Sequence, residues 1–217
     1  MDEFIPPNEL IVLVGGGGAA RYKAVGEEFL RYFMGMGQLK PDENVLDVGC
    51  GSGRIAVPLT QYLTSKGSYQ GFDIVRPAVD WCTETISARY PHFLFHVADV
   101  FNKFYNPQGR YKASEYTFPY ENESFNFIFL TSVFTHMLPE DMEHYLSEII
   151  RVLKRGGRCL ITFFFANEES LVHIHAKQST LLFDNDQGIY RTIKTRNPED
   201  AICYDESFIT QNRHPVS

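Results

Sequence analysis

The run Val45-Leu46-Asp47-Val48-Gly49-Cys50-Gly51-Ser52-Gly53-Arg54 constrains the chain more than any other segment. A short apolar stretch meets three glycines at alternate positions, and an amphipathic stretch starts at once. The spacing predicts a buried strand over Asn44 to Val48, a tight turn, and a helix over Arg54 to Lys66 with Ile55, Leu59, Tyr62 and Leu63 on one face. Glycines let the backbone turn sharply and let a ligand approach without meeting a Cβ. The free N–H groups of a helix start favour a carboxylate or phosphate.

The same alternation continues. Ser68 to Phe72, Phe93 to Ala98, Phe125 to Leu130 and Arg158 to Phe165 read as further strands. Arg76 to Tyr90 reads as a helix. The helix opened by Pro139 carries Met142, Tyr145, Leu146, Ile149, Ile150 and Leu153 on its buried face, with Glu140 and Asp141 in the first turn. Lys154 and Arg155 sit at its end, and Gly156 and Gly157 are read as its stop. Strand and helix in alternation imply an α/β fold: a Rossmann-like three-layer sandwich with a mostly parallel sheet.

Three parts follow. Residues 1–40 are a helical N-terminal extension, with a helix over Ala19 to Met34 after the glycines 15–18. Residues 41–165 are the ligand-binding core. Residues 166–217 form a lid or ribbon and an incomplete end of the sheet. Asn102 to Pro119 reads as an irregular loop with one short helical turn, and Glu168 to Thr180 as a helix. Leu181 to Thr195 reads as a hairpin turning at Asp186-Gln187-Gly188, and Cys203 to Ile209 as the start of a helix. With no apolar run left for further central strands, the expectation is a five-stranded parallel core whose last hairpin is missing or replaced by this ribbon. The edge so exposed is one that a second copy of the chain would cover.

Composition narrows the function. The formal net charge of −7 over 217 residues argues against a broad grip on nucleic acid phosphates. Leu10 to Val14 is too short to cross a bilayer. Asp2 and Glu3 stand where a secretory signal has basic residues, so the reading is cytoplasmic. Cys50, Cys82, Cys159 and Cys203 form no C-x-x-C pair and are expected to be buried free thiols rather than metal ligands.

The glycine spacing separates ligand classes. A dinucleotide fingerprint is G-x-G-x-x-G, whereas Gly49, Gly51 and Gly53 form G-x-G-x-G. Asp73 ends the second strand, where an acidic side chain can accept hydrogen bonds from both hydroxyls of a ribose. With these residues the chain resembles the class I S-adenosylmethionine-dependent methyltransferases over roughly residues 41–165. VLDVGCGSGR is similar to that family's first motif, GFDIV to its second and HVADV to its third. RVLKRGGRCLITFF resembles the family's helix end, double glycine and fifth strand. Asn126 stands where many relatives have an aspartate.

The resemblance implies S-adenosylmethionine as cofactor and S-adenosylhomocysteine as product. It implies that Gly49, Cys50, Gly51 and Gly53 form the loop near the methionine part, and that Asp47 holds the amino group. Asp73 takes the ribose and Ile74 packs on adenine. Asp99 and the Val100 N–H meet the adenine edge, and Thr131 and Ser132 lie near the methionine end.

Methyl transfer from a sulfonium needs alignment and exclusion of water more than covalent help. His136, after the fourth strand, is the candidate general base for an acceptor that must lose a proton. His173 and His175 would share one face of a strand, where a solvated or structural role outweighs a metal pair. Tyr105, Tyr111, Tyr116 and Tyr120 are candidates to line an acceptor pocket, and Arg21 and Tyr22 to fold over the cofactor. The expected acceptor is a small molecule or saccharide, with no nucleic acid, membrane or metal involved. The alternatives are a protein or RNA methyltransferase, an NAD-dependent oxidoreductase, and a cofactor-binding module without catalysis.

Overall fold

The computed structural model describes residues 4–211. Two N-terminal helices, α1 (Asn8–Leu13) and α2 (Gly18–Gly35), precede β1 (Asn44–Val48). Then come α3 (Ala56–Leu59), β2 (Ser68–Asp73), α4 (Arg76–Cys82), β3 (Phe93–Val97), β4 (Phe125–Leu130), α5 (Pro139–Val152) and β5 (Leu153–Ile161). The five strands form one parallel sheet in the order β3-β2-β1-β4-β5. The chain winds outward one way from β1 and returns to wind the other way from β4. The switch point therefore falls at the carboxyl ends of β1 and β4, where open parallel sheets bind ligands.

Strand alternation divides the core into two layers. Leu46, Val48, Ile128 and Leu130 face Met142, Tyr145, Ile149 and Val152 of α5. Val45, Phe127 and Phe129 face the opposite way, toward Phe33 of α2, Leu59 of α3 and Ile86. Phe33 packs on Phe127 and Phe129 at ring-centroid distances of 5.2 and 4.4 Å, which docks the N-terminal extension onto the sheet.

After β5 the chain leaves the parallel sheet. β6 (Phe164–Ala166), α6 (Glu168–His175), β7 (Asn185–Asp186), β8 (Tyr190–Thr192), β9 (Ile202–Asp205) and α7 (Glu206–Gln211) follow. The four short strands make a second, mixed sheet in the order β6-β9-β8-β7. β9 ties it to the first: Ile202 and Tyr204 enter the α5 core layer, and the Tyr204 hydroxyl donates to the Met137 carbonyl at 2.6 Å.

Several sequence expectations need correction. The helix expected over Arg54 to Lys66 is one α-turn, Ala56–Leu59, continued by looser turns, because Pro58 removes an N–H that a longer helix would use. The helix expected over Arg76 to Tyr90 is α only to Cys82 and widens to a π-turn at Thr83–Ser87. Gly156 and Gly157 do not stop α5. The helix ends at Val152, and the glycines lie in a register shift within β5, between the pairs Phe125–Leu153 and Phe127–Arg158. The last expected strand splits into β5 and β6. Of the helix start expected over Cys203 to Ile209, the part from Glu206 is helical, in α7, whereas Cys203 to Asp205 belong to β9, which pairs on both sides with β6 and β8. The hairpin over Leu181 to Thr195 forms, as part of that sheet rather than a lone ribbon. His173 and His175 lie exposed on α6, not on a strand. Cys159 is exposed on edge strand β5, whereas Cys50, Cys82 and Cys203 are buried.

The loop over Asn102 to Pro119 is irregular with one 3₁₀ turn at Ala113–Glu115. Charge-assisted hydrogen bonds join its end to α5. Glu148 accepts from the Phe118 N–H at 2.7 Å and from Arg151 at 2.6 Å, and Arg151 also donates to the Phe118 and Tyr120 carbonyls. No helix among the described residues is long and apolar enough to cross a membrane.

Phe33→Ala is expected to destabilise the protein by about 3–5 kcal/mol in urea unfolding, the usual cost of deleting a buried aromatic ring. A loss below about 1 kcal/mol would mean that α2 is not docked on the sheet.

Candidate active site

A cavity of about 790 Å³ opens at the switch point. The glycine turn after β1 forms its floor. Gly49 and Gly51 have φ of +82° and +52°, a region that side chains with a Cβ resist. A Cβ at Gly49 would lie 2.4 Å from Val133, and one at Gly51 2.5 Å from Val14, so both faces of the turn are tightly covered. The turn is pinned by Asp73, whose Oδ2 accepts from the Gly51 N–H at 2.7 Å and whose Oδ1 accepts from the Val75 N–H at 2.9 Å. Burial raises the Asp73 pKa, and these backbone hydrogen bonds oppose the shift.

Asp47 lies beneath the turn, 1% exposed. The Tyr69 hydroxyl donates to its Oδ2 at 2.6 Å, while its Oδ1 is buried with no hydrogen-bond partner. Gly71, opposite Asp47 across the β1–β2 pair, makes this contact feasible, since a Cβ there would lie 2.9 Å from the Tyr69 oxygen. Burial pushes the Asp47 carboxyl up to about 8. The Asp73 charge adds to this, and the Tyr69 hydrogen bond and Arg54 work against it. An unpaired buried carboxylate oxygen is costly unless something donates to it. The donor that fits is a cationic N–H group in the cavity.

The N-terminal extension covers the turn. The Tyr22 hydroxyl donates to the Ser52 carbonyl at 2.7 Å, and the Ser52 hydroxyl to the Leu10 carbonyl at 3.1 Å. Arg54 donates to the Val14 carbonyl. Val12, Leu13, Val14, Gly15 and Arg21 thereby join the cavity wall. Burial lowers the Arg54 pKa.

Most of the residues singled out from sequence meet at this cavity. Asp47, Gly49, Cys50, Gly51, Asp73, Ile74, Val100, Thr131, Ser132 and His136 all line it, as do Tyr105 and Arg21. Gly53 does not. It lies behind the turn at φ +78°, where a Cβ would press on Ile86 and Cys82. Asp99 does not line it either, because its carboxylate is turned toward Arg110, which donates to it at 2.5 Å and holds its pKa below the ordinary carboxylate range. Tyr116 and Tyr120 pack beneath the wall and Tyr111 lies outside it.

Sequence reasoning missed two features. Ser132 has φ +59°, a left-handed conformation at the end of β4, held by its N–H donating to Thr162 Oγ1 at 2.9 Å. Such backbone strain gathers at functional sites. The far wall also holds Asp141, Tyr145 and Glu199. Helical spacing assigned Tyr145 to the core, and nothing in the sequence brings Glu199 to the site. His136 Nδ1 lies 2.9 Å from the Glu199 carbonyl oxygen. A carbonyl only accepts, so Nδ1 is the donor in this contact and Nε2 is the ring nitrogen left free of it. No group of three or more metal-ligating side chains comes together among the described residues.

This architecture is the Rossmann-like fold of the class I S-adenosylmethionine-dependent methyltransferases. Residues 39–197 match the model of the methyltransferase domain family, and the chain belongs to that family. It is 27% identical over 118 residues to a tRNA N(3)-cytidine methyltransferase of Gallus gallus, a match covering 54% of this chain and 29% of that protein. It is 28% identical over 149 residues to the arsenite methyltransferase of Rattus norvegicus, covering 67% and 38%. The chain thus spans well under half the length of either relative. Its fold is similar to that of the PH0226 protein from Pyrococcus horikoshii OT3, with TM-score 0.61, 16% identity, and coverage of 89% of this chain and 81% of that one. S-adenosylmethionine is the cofactor of this class.

The raised Asp47 pKa sets a sign for stability. Between about pH 4, the ordinary aspartate value, and about pH 8, the folded state keeps a proton that the unfolded chain has lost. Stability from this group therefore falls as pH rises through that window. The urea midpoint of the wild type is expected to drop relative to Asp47→Asn between pH 5 and pH 8, and parallel curves would remove the assignment.

Proposed function

We propose that this chain transfers a methyl group from S-adenosylmethionine to an acceptor held at the His136 end of the cavity. The observation that carries the reading is the unpartnered Asp47 Oδ1, buried beside the left-handed glycine turn. It suits the ammonium group of the cofactor's methionine part. Asp73, held by backbone N–H groups of Gly51 and Val75 and of its neighbour Ile74, keeps lone-pair capacity for the ribose hydroxyls. Ile74 and Val100 supply apolar surface for adenine, and Arg54 is available to the carboxylate. Asp99 takes a lesser part, because Arg110 already occupies it.

The bound sulfonium supplies an activated methyl group. The protein's part is to align the acceptor, exclude water and take a proton where one must leave. His136 suits that last task, with Nε2 as the accepting atom. Thr131 and Ser132 border the methionine end. A cavity of this size accommodates a cofactor and a small acceptor together, which supports a small molecule over a macromolecule. The net charge of −7 supports the same choice. The two curated relatives are named for a tRNA cytidine and for arsenite, so they favour no single acceptor class.

Two outcomes are expected. Asp73→Ala weakens S-adenosylhomocysteine binding by about 2–3 kcal/mol in calorimetry, the scale of hydrogen bonds to a charged group, and Asp99→Ala weakens it less. Unchanged affinity in Asp73→Ala contradicts the ribose role. Near pH 7, binding also releases close to one proton, because an ammonium beside Asp47 favours its charged form. Calorimetry in buffers of different ionisation enthalpy measures this release, and Asp47→Asn should abolish it. Equal release from both proteins contradicts the Asp47 role.

A further inference from the structure

We infer that the acceptor is an amine carried on an aromatic or apolar body, its nitrogen received between Asp141, Glu199 and Tyr145 and its body by Phe101 and Tyr105. This deepens the methyl-transfer reading above and rests on it.

The wall opposite the glycine turn has a consistent chemistry. Asp141 comes from the first turn of α5 and Glu199 from the turn before β9, and both line the cavity. Burial raises the Asp141 pKa, and the adjacent Glu140 charge adds to this against hydrogen bonds from Ser114. Burial raises Glu199 as well, and the Asp141 charge adds to it, while His136 and Lys103 oppose the shift. Both residues line the same cavity as His136, whose ring contacts the Glu199 carbonyl. Two like charges pressed together in partial burial are relieved by a cation between them.

Tyr145 points to a ligand independently. It lines the cavity, is 4% exposed, and its hydroxyl donates no hydrogen bond among the described residues. Burial raises its pKa, and the nearby Tyr116, Asp141 and Asp73 add to the shift. It can accept from a substrate N–H, or donate to a nitrogen lone pair.

The mouth supplies the second half of the recognition. Phe101 and Tyr105 line the cavity and are 51% and 54% exposed, which leaves apolar ring faces for a ligand. Ring faces also attract an alkylammonium. Lys112 on the same rim is paired with Glu115 at 3.5 Å, and Lys103 offsets part of the Glu199 charge.

Chemically, the amine arrives protonated and gives one proton to His136 Nε2. The nitrogen lone pair then forms the new N–CH₃ bond as the C–S bond breaks, and that electron pair goes to sulfur, which becomes a neutral thioether. The methylated nitrogen leaves as an ammonium, its charge matched by Asp141 and Glu199.

The test is calorimetric binding to the full chain saturated with S-adenosylhomocysteine, using phenethylamine, 2-phenylethanol and 3-phenylpropanoate as probes. The amine is expected to bind at least tenfold more tightly than the alcohol, with no detectable carboxylate binding. Glu199→Gln should lower amine affinity at least fivefold with S-adenosylhomocysteine affinity within twofold, and Tyr145→Phe should weaken the amine while retaining the wild-type unfolding midpoint within a few degrees. Methyl transfer to phenethylamine, read by mass spectrometry, should follow the same order. Equal binding of amine and alcohol, or preference for the carboxylate, overturns the inference and leaves the cofactor reading intact. Failure of S-adenosylhomocysteine itself to bind overturns both.

Discussion

Asp47 sits one residue from the end of the central strand, with Tyr69 satisfying one carboxylate oxygen and nothing satisfying the other. A half-satisfied carboxylate in a core is costly, and the surrounding structure is arranged around that cost. Gly71 leaves room for the Tyr69 ring to reach across from β2. The glycine turn above takes left-handed dihedrals, so that its backbone rather than a side chain faces the space over Asp47. Asp73 then clamps that turn through the Gly51 N–H. Burial pushes the Asp47 carboxyl up to about 8, so in the proposed reading a cationic group placed beside it displaces its proton.

The parallel sheet supplies only the floor and one side of the cavity. The rest comes from segments at the two ends of the chain and from the irregular loop after β3. The N-terminal extension is held by Tyr22, Ser52 and Arg54 in hydrogen bonds to the glycine turn and to the chain before α2. The second sheet carries Glu199 to the site through the Tyr204–Met137 and His136–Glu199 contacts. Glu148 and Arg151 secure the far end of the irregular loop. Most of these are hydrogen bonds between buried or half-buried side chains and backbone, the exposed His136–Glu199 contact excepted, and such bonds fix geometry more firmly than surface ion pairs do.

The cavity is divided electrostatically. Arg21 and Arg54 approach the glycine turn from the extension side, whereas Asp141 and Glu199 occupy the opposite wall. In the proposed reading, a zwitterionic amino acid moiety suits the first end, with Asp47 for its ammonium and an arginine for its carboxylate, and the second end receives a cation. An acceptor with an anionic body would meet like charges there, whatever its affinity for the aromatic mouth.

The parallel core was legible in the sequence because its signals are local. Apolar runs mark β1 and β4 to the residue, the alternate glycines mark the turn, and Asp73 marks the end of β2. The family resemblance rests on the same short-range pattern. Local signals failed where pairing partners are distant. Cys203 to Asp205 look helical in isolation, and only pairing with β6 and β8 makes them a strand. Gly156 and Gly157 read as a helix stop because nothing local reveals that β4 takes up Leu153 as well as Arg158. The side chain of Asp99 was assignable by motif, yet the tertiary structure turns it to Arg110, eleven residues on. Ser132 gave no warning of its left-handed backbone, which depends on Thr162 in the segment after β5. The glycine-turn end of the cavity was therefore determined by the sequence, since one strand-turn-helix unit and its neighbour carry it. The opposite wall was decided only by tertiary structure, since it joins Phe101 of the loop after β3, Asp141 and Tyr145 one turn apart on α5, and Glu199 before β9, three segments far apart in the chain.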